Sequence, residues 1–534
     1  MRVALGLFIP VAAAIAGIWW WLGTPVALPP SPLAAGQKYY CVSYAPFRGL
    51  QTPFDASWRA SAEQIDDDLK RLAKVTDCVR TYATNQGLDQ VPEIAQRHGL
   101  KVLLGVWLGR EAERNRGEIA KGVELVRRFP DVIRGVIVGN ETLLRGELSA
   151  VDVANNVRAL KSQVSVPVTY ADVWEFWMRN RDLASAVDFI TIHILPYWED
   201  FPIPVETAAA HVDSIRRHVA EAFPGREILI GEVGWPSAGR MREGALPSRL
   251  AQARFVQEVL ARAAAGNYRV NLIEAFDQPW KRRLEGTVGG HWGLLDADTR
   301  QPKFTLGAPV SNHPHWRLQA GGGIAFAALV FAAAVAAARG RKEPGAPVWI
   351  GTALMALAGG SLIGWTLENV PLESLDVGGW TRSLALAALA LLSAPLAAAA
   401  LARGTSLPSF AAVLAHRDEP RDRLALALGL LLVLLTTVAL EVTLALVFNP
   451  RYRDFFFAPL TAAVVPFLVL SLIGPRRPST RPVAETIAAF VLVGSIVYIV
   501  PNETIANWHA VWFSAAMLGL ALILFRARDA QSSG

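Results

Sequence analysis

Charge is scarce in this 534-residue chain: 18% of its residues are Asp, Glu, Lys or Arg, against about 25% in a soluble globular protein. With 52% hydrophobic residues and a mean hydropathy of +0.29, a chain wetted on all sides is excluded, and part of it is expected in lipid. Cysteine is scarcer still. Cys41 and Cys78 are the only two, too few for a disulfide scaffold or a four-cysteine zinc site. The sequence G-x-x-x-x-G-K-[ST] is also missing, and with it the phosphate-cradling loop of many nucleotide-binding proteins. A net charge of +6 is compatible with nucleic acid, an anionic surface or a membrane orientation signal. The location of the positive charge decides among them.

What is present begins with an uncharged apolar run from Val3 to about Gly23, closed by Trp19, Trp20 and Trp21. At 1.5 Å per residue it crosses a hydrocarbon core of about 30 Å. It is longer than the roughly 7 to 15 apolar residues of a signal peptide, so residues 1–24 are expected to be an uncleaved anchor. Residues 25–35, with Pro25, Pro29, Pro30 and Pro32, read as an extended linker. Seven more apolar runs follow near 320–338, 347–366, 383–402, 424–448, 456–474, 484–501 and 507–525, the 484–501 run being short. Residues 308–534 are thus a polytopic membrane domain.

If the first span runs from inside to outside, thirteen basic residues fall on the inside: Arg2, Arg339, Arg341, Lys342, Arg403, Arg417, Arg421, Arg423, Arg476, Arg477, Arg481, Arg526 and Arg528. Five acidic residues accompany them, Glu343, Asp418, Glu419, Asp422 and Asp529. The basic residues of the short outside loops are only Arg382, Arg451 and Arg453, next to acidic Glu368, Glu373 and Asp376. Under the positive-inside rule both termini are expected in the cytoplasm, with the segment between the first and second spans outside it, in the periplasm of a Gram-negative inner membrane. The inside segments alone outweigh the chain's net +6, so the basic excess is an orientation signal and nucleic acid drops out as a partner.

Residues 36–307 have a soluble composition in which short apolar strands alternate with helical patterns. Eight strand candidates appear: Tyr39–Tyr44, Cys78–Tyr82, Lys101–Val106, Ile133–Val138, Val166–Tyr170, Phe189–His193, Glu227–Gly231 and Val270–Phe276. Ser61-x-x-Gln64 ahead of Ile65, Leu69, Leu72 and Val75 reads as a capping box. Eight such units predict an α/β (β/α)8 TIM barrel, whose chemistry sits at the C-terminal strand ends. Two glutamates stand there, Glu141 after the fourth strand and Glu232 at the seventh. Carboxyl pairs about 5 to 5.5 Å apart serve retaining glycosidases as acid/base and nucleophile. A capping or salt-bridging role is the alternative for either residue alone.

Gly139-Asn140-Glu141, Gly231-Glu232-Val233-Gly234-Trp235-Pro236-Ser237, and Glu274 to Lys281 with Glu285 to Leu294 resemble glycoside hydrolase family 17, the β-1,3-glucanase family. The resemblance covers residues 36–307. It implies Glu141 as acid/base, Glu232 as nucleophile and Asn140 as the partner of a sugar 2-hydroxyl, with Lys281 and Glu285 in a polar cluster near the acid/base. Tyr82 and Tyr197 are placed to contact the sugar or the nucleophile. Trp235, Trp280 and Trp292 are expected to bind substrate by stacking, and Trp174, Trp177 and Trp198 share the flat rings suited to it. Protonation of Glu141 requires a raised pKa.

His193 is read as a hydrogen-bonding residue and not a metal ligand, since no second histidine lies at ligand spacing; neither metal nor cofactor is called for. Asp296-Ala297-Asp298, a conceivable nucleotide-sugar motif, is read as a loop. Cys41 and Cys78 open neighbouring strands, and two buried thiols are favoured over a disulfide. In the membrane half, Gly321 to Gly323 with Gly359 and Gly360 suit close helix contact. Glu441 is the acidic residue deep in a span, either functional or hydrogen-bonded between helices.

The function expected is a retaining enzyme acting on β-1,3-glucan in the periplasm, by transfer that elongates, branches or cyclises β-1,3/1,6-glucan. Hydrolysis is the alternative, and a non-catalytic glucan-binding module coupled to an exporter is a third. The expected partners are a β-glucan oligo- or polysaccharide, the bilayer, and a glucan synthase or exporter.

Overall fold

The computed structural model describes residues 2–414, 422–475 and 481–527. Of the basic residues that orient the chain, Arg417, Arg421, Arg476, Arg477 and Arg528 lie outside the described residues, as do Asp418, Glu419 and Asp529. The chain forms two compact units, one of Val26–Gly239 with Gly244–Val310, the other of Met1–Pro25, Arg240–Glu243 and Ser311–Gly534.

The first unit is a closed barrel of eight parallel strands in sequence order: β1 (Cys41–Ser43), β2 (Cys78–Arg80), β3 (Lys101–Val106), β4 (Ile133–Asn140), β5 (Val168–Val173), β6 (Ile190–His193), β7 (Ile228–Val233) and β8 (Arg269–Leu272). All eight expected strands occur, with ends moved by a few residues. The capping box is half formed. Ser61 Oγ accepts the Gln64 N–H at 3.2 Å, but the Gln64 side chain turns to the Pro46 carbonyl. The helix Ala62–Leu72 buries Ile65, Leu69 and Leu72 against the barrel. The chain entering and leaving the unit is zipped by an antiparallel bridge, Val26 to Val310, with N···O distances of 2.9 and 3.0 Å.

The expected thiols are corrected to a disulfide: Cys41 and Cys78 are bonded, their Cα atoms 4.3 Å apart. Because Val42 pairs with Val79, the two cysteines stand side by side, and in-register parallel strands send side chains to the same face. Asp296 does make a loop, its Oδ1 accepting the Asp298 and Thr299 N–H groups at 3.1 and 2.8 Å.

Among the described residues of the second unit seven helices are long and apolar enough to cross a membrane: Arg2–Gly23, Trp316–Ala338, Ala346–Glu373, Val377–Arg403, Arg423–Phe448, Val483–Glu503 and Trp508–Arg526. The eighth expected span is the 17-residue helix Phe457–Ile473. It is therefore this helix that is short, not the one near 484–501, which runs 21 residues. A Cβ added at Gly323 would lie 2.1 Å from the Gly360 carbonyl oxygen, and one at Gly360 2.7 Å from that of Gly323. This pair allows backbone-to-backbone contact between two helices, as small residues do in membranes. Glu441 departs from the second of its two expected roles. Its side chain is 54% exposed and its Oε1 lies 3.9 Å from Arg382 Nη1, an ion pair in place of a buried interhelical hydrogen bond.

Candidate active site

At the C-terminal end of β4 the backbone leaves the regular strand. The register with β5 shifts between Ile137 and Asn140, and both Gly139 (φ +85°) and Glu141 (φ +52°) are left-handed. A left-handed glutamate is strained, and such strain concentrates at functional positions. The irregularity turns Asn140 and Glu141 towards the barrel mouth, and the Glu141 N–H is fixed by the Ala171 carbonyl at 2.8 Å. Glu232 lies within β7, and the β6–β7 register shifts so that His193 pairs with Glu232.

These distortions bring three side chains together. One ligand-capable atom from each of Glu141, His193 and Glu232 lies within 4.8 Å of the others, so the carboxyl groups approach as closely as retaining chemistry requires. His193 Nδ1 is 2.9 Å from Glu141 Oε1, and its Nε2 is 3.7 Å from Glu232 Oε1. Glu232 Oε1 also accepts Arg80 Nη1 at 3.0 Å and the Tyr82 hydroxyl at 2.9 Å. Arg80 continues to the Gly231 carbonyl at 2.9 Å and to Asn140 Oδ1, which leaves Asn140 its amide N–H groups for a sugar hydroxyl. Three such donor atoms could ligate a cation, but the Arg80 guanidinium already balances the Glu232 charge.

Burial and the Glu232 charge raise the Tyr82 pKa well above the usual phenol range, so it stays a donor. The Glu141 carboxyl departs from the expected raised pKa. Burial pushes it up, but the hydrogen bond and charge of His193, with Arg80 and Arg145 behind, outweigh that and hold it below the ordinary value. Behind it Asp172 accepts the Tyr170 hydroxyl and the Leu143 N–H at 3.2 Å, fixing the chain just past Glu141. Burial, and secondarily the Glu141 charge, carry Asp172 up to about 6.

Lys281 pairs with Glu274 at 2.9 Å. Burial carries Glu274 up to about 7. Burial would lower Lys281, but Glu274 and Glu285 raise it well above the ordinary amine value. Burial also raises Glu285, against the pull of Lys281, and the charges of Glu141 and Glu232 reach it. The expected cluster is therefore present, with Glu274 as a member that spacing did not single out.

The tryptophans divide. Trp280 is half-buried, 5.6 Å from the exposed Phe54 ring and 6.0 Å from Phe47, which packs on Trp58 at 4.8 Å. Of these rings Phe47 is buried behind the others, while Phe54, Trp58 and Trp280 keep accessible surface for a sugar. Trp235 does not: it is fully buried, its indole N–H donates to the Leu246 carbonyl at 3.0 Å, and it packs on Phe255. Trp292, 3% exposed, stacks on Trp198, and Tyr197 is buried at the edges of both and of Trp235. Their expected substrate contact is corrected to packing, because together they fill the space between β6, β7 and the closing segment. Trp177 is likewise core, bonded to the Thr191 carbonyl.

Sequence reasoning missed Arg80. Its signal was a lone arginine inside the apolar stretch Cys78-Val79-Arg80-Thr81-Tyr82, where an unpaired buried charge would be prohibitive.

Over the barrel the chain is similar to known proteins. Residues 41–293 match the BtgE/BtgC glycoside hydrolase domain family. The chain is 27% identical over 289 residues to a putative glucan endo-1,3-beta-glucosidase of Aspergillus niger, covering 48% of this chain but 41% of that protein. It is 26% identical over 280 residues to a glucan 1,3-beta-glucosidase of Arthroderma benhamiae, covering 49% of this chain and 90% of that one. Among solved structures, a Rhizomucor miehei beta-1,3-glucanosyltransferase mutant in complex with laminaritriose is 25% identical, with a TM-score of 0.45 over 51% of this chain and 98% of that one.

Proposed function

Since residues 41–293 match the BtgE/BtgC glycoside hydrolase domain family, we propose that this protein is a retaining β-1,3-glucan-active enzyme of the family 17 kind, most of all a transglycosylase. The observation that carries the reading is the Glu141–Glu232 pair, with reactive atoms within 4.8 Å of each other on β4 and β7. Glu141 protonates the departing glycosidic oxygen while Glu232, oriented by Arg80 and Tyr82, attacks the anomeric carbon. The covalent glycosyl-enzyme is then resolved by a hydroxyl that Glu141, now a base, deprotonates. A sugar hydroxyl elongates, branches or cyclises the glucan; water hydrolyses it. The accessible rings of Phe54, Trp58 and Trp280 support transfer, since a stacked acceptor sugar competes with water for the intermediate.

Laminari-oligosaccharides incubated with the purified full chain are expected to yield longer or branched products by linkage analysis. Shorter products alone favour the hydrolase, and unchanged substrate favours a glucan-binding module coupled to an exporter.

The barrel is proposed to act in the periplasm from an inner membrane, with both termini cytoplasmic. The loop arginines support this orientation, as does the Cys41–Cys78 disulfide, because such bonds persist in oxidising compartments. Protease added to intact spheroplasts is expected to digest the barrel and spare a C-terminal tag. A protected barrel with a cleaved tag reverses the orientation.

A further inference from the structure

Retaining chemistry needs Glu141 protonated and Glu232 ionised, yet in the free site Glu141 is the carboxyl held low. The group responsible is His193, fully buried at the end of β6 and lying between the two glutamates. Its Nδ1 sits at hydrogen-bond distance from Glu141, 2.9 Å. Its Nε2 has no hydrogen-bond partner and points at Glu232 Oε1 from 3.7 Å. Gly231 leaves room for the ring, since a Cβ there would be 3.3 Å from His193 Cδ2.

We propose that His193 is the proton reservoir of the acid/base: it stores on Nδ1 the proton that Glu141 delivers to the leaving oxygen, and takes it back when the acceptor hydroxyl is deprotonated. The proposal rests on the retaining reading above. Two proton arrangements have the same total charge. In one, an imidazolium lies between two carboxylates. In the other, the imidazole is neutral and Glu141 is an acid. They differ by one proton moved along a 2.9 Å hydrogen bond.

When substrate occupies the site the proton passes from Nδ1 to Glu141 Oε1 and on to the glycosidic oxygen. The C1–O bond breaks as Glu232 forms its ester, and the imidazole retains its Nε2 hydrogen. In the second half the acceptor hydroxyl attacks C1, the ester breaks, and the hydroxyl proton returns through Glu141 to Nδ1. The charged groups bearing on the cluster are Glu141 and Arg145 from β4 and the chain after it, Asp172 from β5, Glu232 from β7 and Arg80 from β2.

The test is kcat/KM, which reports formation of the glycosyl-enzyme, for His193→Asn and His193→Gln in the full-length protein. Two substrates are compared: laminari-oligosaccharides, whose alcohol leaving group needs a proton, and a 2,4-dinitrophenyl β-laminaribioside, whose leaving group does not. The expected result is a loss of about 10²-fold on the oligosaccharide with the aryl glycoside changed less than about 3-fold. An equal loss on both substrates assigns His193 to packing and overturns the proposal. A wild-type chain inactive on both substrates instead overturns the retaining-enzyme reading on which it rests.

Discussion

Glu232→Ala is expected to lower turnover of laminari-oligosaccharides by roughly 10⁴-fold or more, and added azide is expected to restore activity with an α-configured glycosyl azide as product. The argument is geometric. On the proposed retaining mechanism Glu232 occupies the face opposite the leaving group, so a small anion in the vacated space attacks from that face. Stability complicates the readout, because Arg80 and Glu232 are a buried pair, 1% and 6% exposed, and removing one partner of such a pair costs about 3–5 kcal/mol. The Gly231 and Asn140 oxygens remain as acceptors for Arg80, which places the cost at the low end. Glu232→Gln, which keeps an acceptor oxygen for Arg80 and Tyr82, is the companion variant. An α-azide product cannot come from an unfolded chain, and full activity in Glu232→Gln would remove Glu232 as nucleophile.

Glu141→Ala is expected to lower kcat/KM on laminari-oligosaccharides by about 10² to 10⁴-fold, the usual worth of a positioned acid. Formation of the glycosyl-enzyme from a dinitrophenyl glycoside should persist. Azide now meets an intact Glu232 ester and should give the β-configured product. The two substitutions therefore yield opposite anomers, and a β-azide from Glu232→Ala or an α-azide from Glu141→Ala would exchange the roles. Glu141 is the safer residue to remove. Its side chain is 23% exposed, so water can reach what it leaves behind.

Much of this site was legible because two independent patterns coincide at it. The apolar strand Val136-Ile137-Val138 ends directly in Gly139-Asn140-Glu141, and Ile228-Leu229-Ile230 in Gly231-Glu232; both the strand pattern and the resemblance select the same two glutamates. The tryptophans were less legible, since a ring that stacks on sugar and a ring that fills a barrel have the same composition signal. Only burial separates Trp280 from Trp235. Lys281 was visible in its motif; its partner Glu274 opens the same motif, but only the fold shows that the two side chains meet.

The sequence by itself determined the two-part character of the chain, its eight barrel strands, its apolar spans and the two carboxylates. These follow from hydrophobic periodicity and run length, which are local properties. Tertiary structure decided everything that depends on ring closure. Arg80 reaches Glu232 across 152 positions and Asn140 across 60; His193 reaches Glu141 across 52; Cys41 bonds Cys78. The physical reason is that a barrel converts strand order into an angular position around one mouth. Groups far apart along the chain then share a single low-dielectric space, where each sets the charge and protonation of the others.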